Sequence, residues 1–154
     1  MIRLEKILVA LDLSEHSQVA MRYAAEFARA FSAEVVVCHV VEQAGMLASL
    51  PPGGEAYFPP NLTELQAQRG RAEGERLLRE LGVARGRVEI REGKAFVEIV
   101  RLAREEDADL IVVGTHGWGA IAHALLGSVA EKVVRKAPCP VLTVRAGEHD
   151  FVGP

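Results

Sequence analysis

Cysteine is scarce in this chain: its 154 residues hold two, Cys38 inside the apolar run EVVVCHVV and Cys139 between two prolines. Neither has the evenly spaced company of a disulfide framework or of a CxxC redox or metal site, so both are expected as reduced thiols in a cytoplasmic protein. Long apolar runs are missing as well. None approaches the roughly 18 residues of a membrane span, and the first dozen residues carry neither a basic n-region nor a small-residue cleavage site, so no signal peptide and no membrane partner are expected. Positive charge is not in excess: 18 Lys and Arg stand against 21 Asp and Glu, for a net charge of -3. That balance excludes a broad electrostatic hold on nucleic acid. A GxxxxGK[ST] loop is absent, and with it the lysine that a Walker-type ATPase places on its phosphates.

What the chain does have is alternation. Apolar, β-branched runs at Lys6 to Leu11, Val35 to Val41, Arg87 to Ile90, Leu110 to Val113 and Val141 to Val144 read as five strands. Helical patterns lie between them. The first, SEHSQVAMRYAAEFARAF, has Ser14 as its expected N-cap and puts Ala20, Ala24, Phe27 and Phe31 on one face. A second begins near NLTELQ, where Thr63 and Gln66 have capping-box spacing, and runs to about Leu81; Gly70 and Gly74 weaken its helical pattern. The third is KAFVEIVRLAREE. The fourth, SVAEKVVRK, is expected to start on Ser128 with Glu131 completing a capping box, and to stop at Ala137-Pro138.

Strands that alternate with helices and are apolar almost throughout belong in a parallel sheet covered on both faces. The expectation is one α/β domain over residues 1–154, doubly wound, with a five-stranded parallel sheet of order 3-2-1-4-5 and helices on both faces. Its switch point falls between the first and fourth strands, where ligands bind at the carboxyl ends. Asp12 ends the first strand and Gly114 the fourth. The segment Glu42 to Pro60, rich in proline and glycine, is either a surface loop or a lid.

Gly114, Gly117, Gly119 and Gly127 fall within fourteen residues. Glycine costs conformational entropy on folding and gives close backbone approach in return, so such a cluster needs a reason. The head of the fourth helix, Gly127-Ser128-Val129, offers unpaired N–H groups and a partial positive charge to an anion. The hydroxyls of Ser128 and Thr115 add donors, and Gly114 and Gly117 can let backbone approach a polyphosphate. The competing reading makes Ser128 and Glu131 a capping box and the glycines a flexible connection. Gly117 to Ala122 also matches GxGxxA, but it follows the fourth strand and no acidic strand end lies about 20 residues on, so a dinucleotide fingerprint is not supported.

Other polar residues admit ordinary roles. Asp12 suits a turn that bonds the next helix as well as it suits a ribose ligand. His39 reads as a satisfied core histidine, His116 and His123 as solvated or supporting groups flanking the glycine loop. Lys132 could approach phosphate or face water. Arg101, Arg104, Glu105, Glu106 and Asp107 look like a solvated helix face.

Gly114-x2-Gly117-x9-Gly127-Ser128, together with KILVALDLSEHS at the start and KAPCPVLTVR at the end, resembles the universal stress protein family in its ATP-binding branch. The resemblance spans nearly the whole chain. It implies ATP as ligand, alone or with Mg2+, held by Gly114, Gly117, Gly127, Ser128 and Val129, with Asp12 at the nucleoside and the backbone of Val40 reading adenine. It further implies a homodimer, expected through the last strand, and a regulatory or stress-response role. No catalytic set of fixed metal ligands, base and cationic stabiliser is evident near the loop, so rapid hydrolysis is not expected. Two alternatives are a slow nucleotide hydrolase that uses His116 or His123 and a nucleotide-free dimerisation module.

Overall fold

The computed structural model describes residues 1–42, 60–115 and 126–146. Five strands, β1 (Lys6–Ala10), β2 (Glu34–Val41), β3 (Gly86–Glu92), β4 (Leu110–Gly114) and β5 (Val141–Val144), alternate with four helices, α1 (Glu15–Phe31), α2 (Leu62–Glu80), α3 (Ala95–Glu105) and α4 (Ser128–Lys136). The sheet has the order β3-β2-β1-β4-β5 and every pairing is parallel. Both the fold class and the strand order expected from the alternation are therefore found.

The two faces of the sheet are filled by opposite registers of the same strands, because side chains alternate along each strand. Ile7, Val9, Val35, Val37 and Val112 pack against Ala20, Met21, Ala24 and Ala28 of α1 and Leu77 and Leu78 of α2. Leu8, Val36, Cys38, Ile111 and Val113 face Ile99, Leu102 and Ala103 of α3 and Ala130 and Val133 of α4. β1, at the centre, has Ile7, Leu8 and Val9 wholly out of water. Its apolar run is what burial on both faces demands.

Several local expectations are corrected. α1 buries Ser17, Ala20, Met21, Ala24, Ala25 and Ala28, whereas Phe31 is 49% exposed at the end of the helix; the small alanines let α1 lie close to the sheet. The capping box of Thr63 and Gln66 does not form the start of α2, whose N-cap is Asn61 without a side-chain cap bond. Gly70 and Gly74 do not weaken α2 so much as seat it. A Cβ on Gly70 would lie 2.1 Å from Cδ2 of His39, and one on Gly74 would lie 2.8 Å from Cγ2 of Val88. The helix gives up roughly 1 kcal/mol of propensity at each glycine and gains close contact with β2 and β3.

The supposed solvated face of α3 is also different at its end. Glu106 is half-buried, bonded to Lys6 at 2.9 Å and to Arg87 at 2.5 Å, and Arg87 reaches Glu34 at 3.0 Å as well. The Arg87 bond, then the Lys6 bond, hold the Glu106 carboxyl below its usual range. Glu98, buried on α3, pairs with Arg101 at 2.7 Å. At the same end of the sheet the Asp109 carboxylate accepts the N–H groups of Glu5 and Lys6 and fixes where β1 begins. This end is thus closed by charge pairs and caps, and the carboxyl end is left for other chemistry.

Candidate functional site

The carboxyl end of β1 passes into α1 through four residues, Leu11 to Ser14. Asp12 accepts the backbone N–H of Ser14 at 2.9 Å on Oδ1, and the Ser14 hydroxyl donates to the same oxygen. Ser14 Oγ in turn accepts the N–H of Ser17 at 3.3 Å, as an N-cap should. Between them Leu13 takes a φ of 67°, a left-handed conformation that a non-glycine residue adopts only under constraint. The turn role weighed for Asp12 is therefore present, and it occupies one carboxylate oxygen. Leu11 is fixed from β2: its N–H donates to the Cys38 carbonyl at 2.9 Å, and the ring of His39 donates from Nδ1 to the Leu11 carbonyl at 2.7 Å. His39 is buried and is the satisfied core histidine expected.

Val40 lies one residue further along β2, partly buried against the α3–α4 face. In β2 the even-numbered residues turn their backbone groups toward β1, as the Glu34 N–H to Glu5 and the Cys38 carbonyl to Leu11 demonstrate. The same alternation aims the N–H and C=O of Val40 past Ala10, the last paired residue of β1. Among the described residues no backbone partner meets them there. This is the edge at which a planar heterocycle could complete the ladder.

On the other side of the switch point β4 ends in Gly114 and Thr115. A Cβ on Gly114 would stand 2.8 Å from Cβ and 2.9 Å from the backbone carbonyl carbon of His16. Glycine is required there because α1 crosses β4 at this point, a reason different from the approach of a polyphosphate. Thr115, 7% exposed, donates its N–H to Val144 at 2.7 Å and accepts the N–H of Gly127 at 2.5 Å. Gly127, with φ -67° and ψ 157°, is the N-cap of α4. Ser128 is thus the first helical residue, not the cap, and the expected Ser128–Glu131 capping box is replaced by a glycine cap. The consequence for anion binding is direct. Gly127 spends its N–H on Thr115, and the donors left at the helix head are those of Ser128, Val129 and Ala130, which precede the first intrahelical bond, from Glu131 to Gly127.

Of the other helices that start at this end, α2 likewise has no side-chain bond from its N-cap Asn61, and two differ. At α1 the Ser14 hydroxyl covers Ser17 N–H, and at α3 the Glu42 carboxylate accepts the Ala95 N–H. At α4 the N-cap Gly127 has no side chain with which to cap, and Ser128 and Val129 are exposed. The backbone angles of Gly127 are open to any residue, so conformation does not require glycine at that position.

Gly117, Trp118, His116, His123 and the Gly117–Ala122 fingerprint lie outside the described residues, as does most of the segment from Glu42 to Pro60. Lys132 rests its ammonium 5.1 Å from the centre of the Phe96 ring on α3, a cation–π arrangement that gives it a partner other than bulk water. Burial pushes the Cys38 thiol up to about 12 and also raises that of Cys139, so neither is a ready nucleophile. Among the described residues no group of three or more His, Cys, Asp or Glu could hold a metal ion, and no helix is long and apolar enough to cross a membrane. Two contributors escape sequence reasoning, His16 and Glu42, because their partners lie 130 and 53 residues away.

These features define a doubly wound α/β protein whose switch point carries, among the described residues, a strand edge without a backbone partner on one side and a glycine-capped helix head on the other. The chain belongs to the universal stress protein family, whose model matches residues 3–145. It is 36% identical over 141 residues to universal stress protein MJ0531 of Methanocaldococcus jannaschii, covering 92% of this chain and 82% of that one. It is 38% identical over 141 residues to a universal stress protein of Thermus aquaticus, covering 90% and 97%. Among solved structures, hypothetical protein MJ0577 superposes with a TM-score of 0.81 at 28% identity, over 96% of this chain and all of that one. A universal stress protein in complex with cAMP gives a TM-score of 0.69 at 27% identity, over 94% and 98%. The Archaeoglobus fulgidus universal stress protein in complex with dAMP gives 0.64 at 28%, over 94% and 99%.

The two roles open to Asp12 are separable by substitution. Asp12→Asn keeps an Oδ1 acceptor for Ser14 and should leave stability within about 0.5 kcal/mol of the parent, whereas Asp12→Ala should lose about 1–2 kcal/mol with the turn. Urea denaturation measures both. Equal losses in the two variants would mean that the carboxylate charge, and not its hydrogen bonds, holds the turn.

Proposed function

We propose that this protein binds an adenine nucleotide, ATP in particular, at the switch point and acts as a nucleotide-dependent regulatory module. One observation carries the reading. At Gly127 the chain places glycine where backbone conformation does not ask for it, at the head of a helix beside the switch point whose Ser128 and Val129 are exposed and whose Ser128, Val129 and Ala130 N–H groups precede its first intrahelical bond. A phosphate supplies the missing acceptors, and each charge-assisted bond contributes about 1.5–3 kcal/mol. Three such bonds reach the roughly 8 kcal/mol of micromolar affinity. The relatives in complex with cAMP and dAMP support an adenine nucleotide as the ligand class.

In this reading the amides of Ser128 and Val129 and the Ser128 hydroxyl receive the phosphates, Gly127 keeps the approach clear, and Thr115 and Gly114 form the floor. The N–H and C=O of Val40 pair with the adenine edge, and Asp12 turns its carboxylate to the ribose while Oδ1 holds Ser14. Mg2+, where it takes part, arrives on the nucleotide phosphates, in keeping with the metal's habit of binding through phosphates and few protein ligands. Bound nucleotide selects a conformation or a partner and is not turned over rapidly. The regulatory unit is a homodimer formed through β5, an edge strand whose outer backbone groups another chain can satisfy.

Gly127→Val puts a branched side chain at the phosphate approach and should abolish measurable ATP binding by titration calorimetry while far-UV circular dichroism stays unchanged. Retained parent affinity would remove the phosphates from this helix head. Phosphate release should stay below about 1 per second under single-turnover conditions; a faster rate would make the protein an enzyme. Light scattering at micromolar concentration should give the mass of two chains, and a monomer would contradict the β5 interface.

A further inference from the structure

His16 stands in the first turn of α1. Its Cβ and carbonyl fill the space that the missing side chain of Gly114 leaves on β4. From that seat its Nδ1 accepts the N–H of Ala146 at 3.0 Å. An N–H can only donate, so Nδ1 carries the lone pair and the imidazole proton of the neutral ring is on Nε2. Ala146 lies two residues past β5, whose last residue Val144 pairs with Gly114 in register and accepts the Thr115 N–H at 2.7 Å. Thr115 then accepts the Gly127 N–H that sets the cap of α4. The end of β5 is thus tied at two points, and one of those ties continues into the helix head.

We propose that His16 is a positioning residue for the nucleotide site: by accepting the Ala146 N–H it locks the end of β5 onto β4, which fixes Thr115 and through it the N-cap of α4. The proposal rests on the reading of that helix head as the phosphate site. Its physical content is a coupling between two places that do not touch, the backbone just beyond β5 and the amides of Ser128 and Val129. Coupling of this kind is reciprocal. What the lock contributes to nucleotide affinity, nucleotide returns as protection of the lock. The imidazole is suited to the role because, with its Cβ seated at Gly114, the ring directs a single acceptor in its plane at the Ala146 N–H.

Two variants separate the acceptor from the ring. His16→Phe keeps the Cβ at Gly114 and a planar ring but removes the acceptor; His16→Asn removes the ring and restores an acceptor oxygen close to the Nδ1 position. In the nucleotide-free protein the Ala146 amide, followed by NMR hydrogen exchange, should exchange roughly fivefold faster in the Phe variant than in the parent, as for loss of one hydrogen bond. ATP affinity by calorimetry should fall roughly fivefold or more in the Phe variant and be restored to within about twofold in the Asn variant. In the parent, saturating ATP should slow exchange at Ala146. Parent protein that binds ATP with no change at Ala146, or a Phe variant with parent affinity, overturns the positioning role and leaves the nucleotide site standing. A parent that binds no ATP overturns both. The exchange measurement on the parent needs no variant, so a misfolded substitution does not shield the proposal.

Discussion

Ile7 opposite Leu110, Leu8 opposite Ile111 and Val9 opposite Val112 bring β4 back to the far side of β1, and most of the molecule's chemistry follows from that pairing. Because β2 has already taken the other side of β1, the connections from β1 and β4 depart to opposite faces of the sheet. A crevice opens between them at the carboxyl ends. The three central residues of β1 are fully buried, so the pairing sits in the driest part of the protein and the crevice inherits a rigid floor. Had β4 added next to β3, neither Asp12 nor the head of α4 would reach the position of the other.

The two ends of the sheet divide the work. At the amino end, Lys6, Glu34, Arg87 and Glu106 neutralise one another in a half-buried network, and Asp109 caps the start of β1. At the carboxyl end the charges are used differently: Asp12 and Glu42 accept backbone N–H groups where helices begin. Among the described residues neither Asn61 at α2 nor Gly127 at α4 supplies such a side-chain acceptor, and α4 is the one of the two that starts beside the switch point. The exposed amides of Ser128 and Val129 beside the switch point, and not the abundance of glycine, are the physical basis for proposing an anion at α4. The glycines themselves serve separate ends. Gly114 accommodates His16, Gly70 and Gly74 accommodate His39 and Val88, and the backbone angles of Gly127 do not call for glycine.

Strand positions, strand order and the place of the crevice were legible in the sequence because they depend on local apolar periodicity and on the short list of ways to close alternating strands and helices. His39 and the termini of β1 and β4 were legible for the same reason. Less was legible at single residues whose partners are remote in the chain. Ser128 and Glu131 have the spacing of a capping box, and the helix does start at Ser128, but its cap is Gly127, whose N–H the Thr115 carbonyl, 12 residues earlier, accepts. Phe31 has the period of a core residue, but it falls where α1 runs past the sheet. Glu106 looks solvated until β1, β2 and β3 bring Lys6, Glu34 and Arg87 around it. His16 gives no sign at all, since its bond to Ala146 exists only after β5 has paired with β4.

The central claim is that the open strand edge at Val40 and the uncapped head of α4 are two halves of one nucleotide site. The most direct measurement is the amide spectrum of isotope-labelled protein during titration with ATP. The account predicts saturable shifts at Val40 and at Ser128 and Val129 with one common dissociation constant, while the amino-end residues Lys6, Glu34 and Arg87 stay in place. Saturable shifts confined to one of the two halves, or centred on the amino end of the sheet, would contradict it.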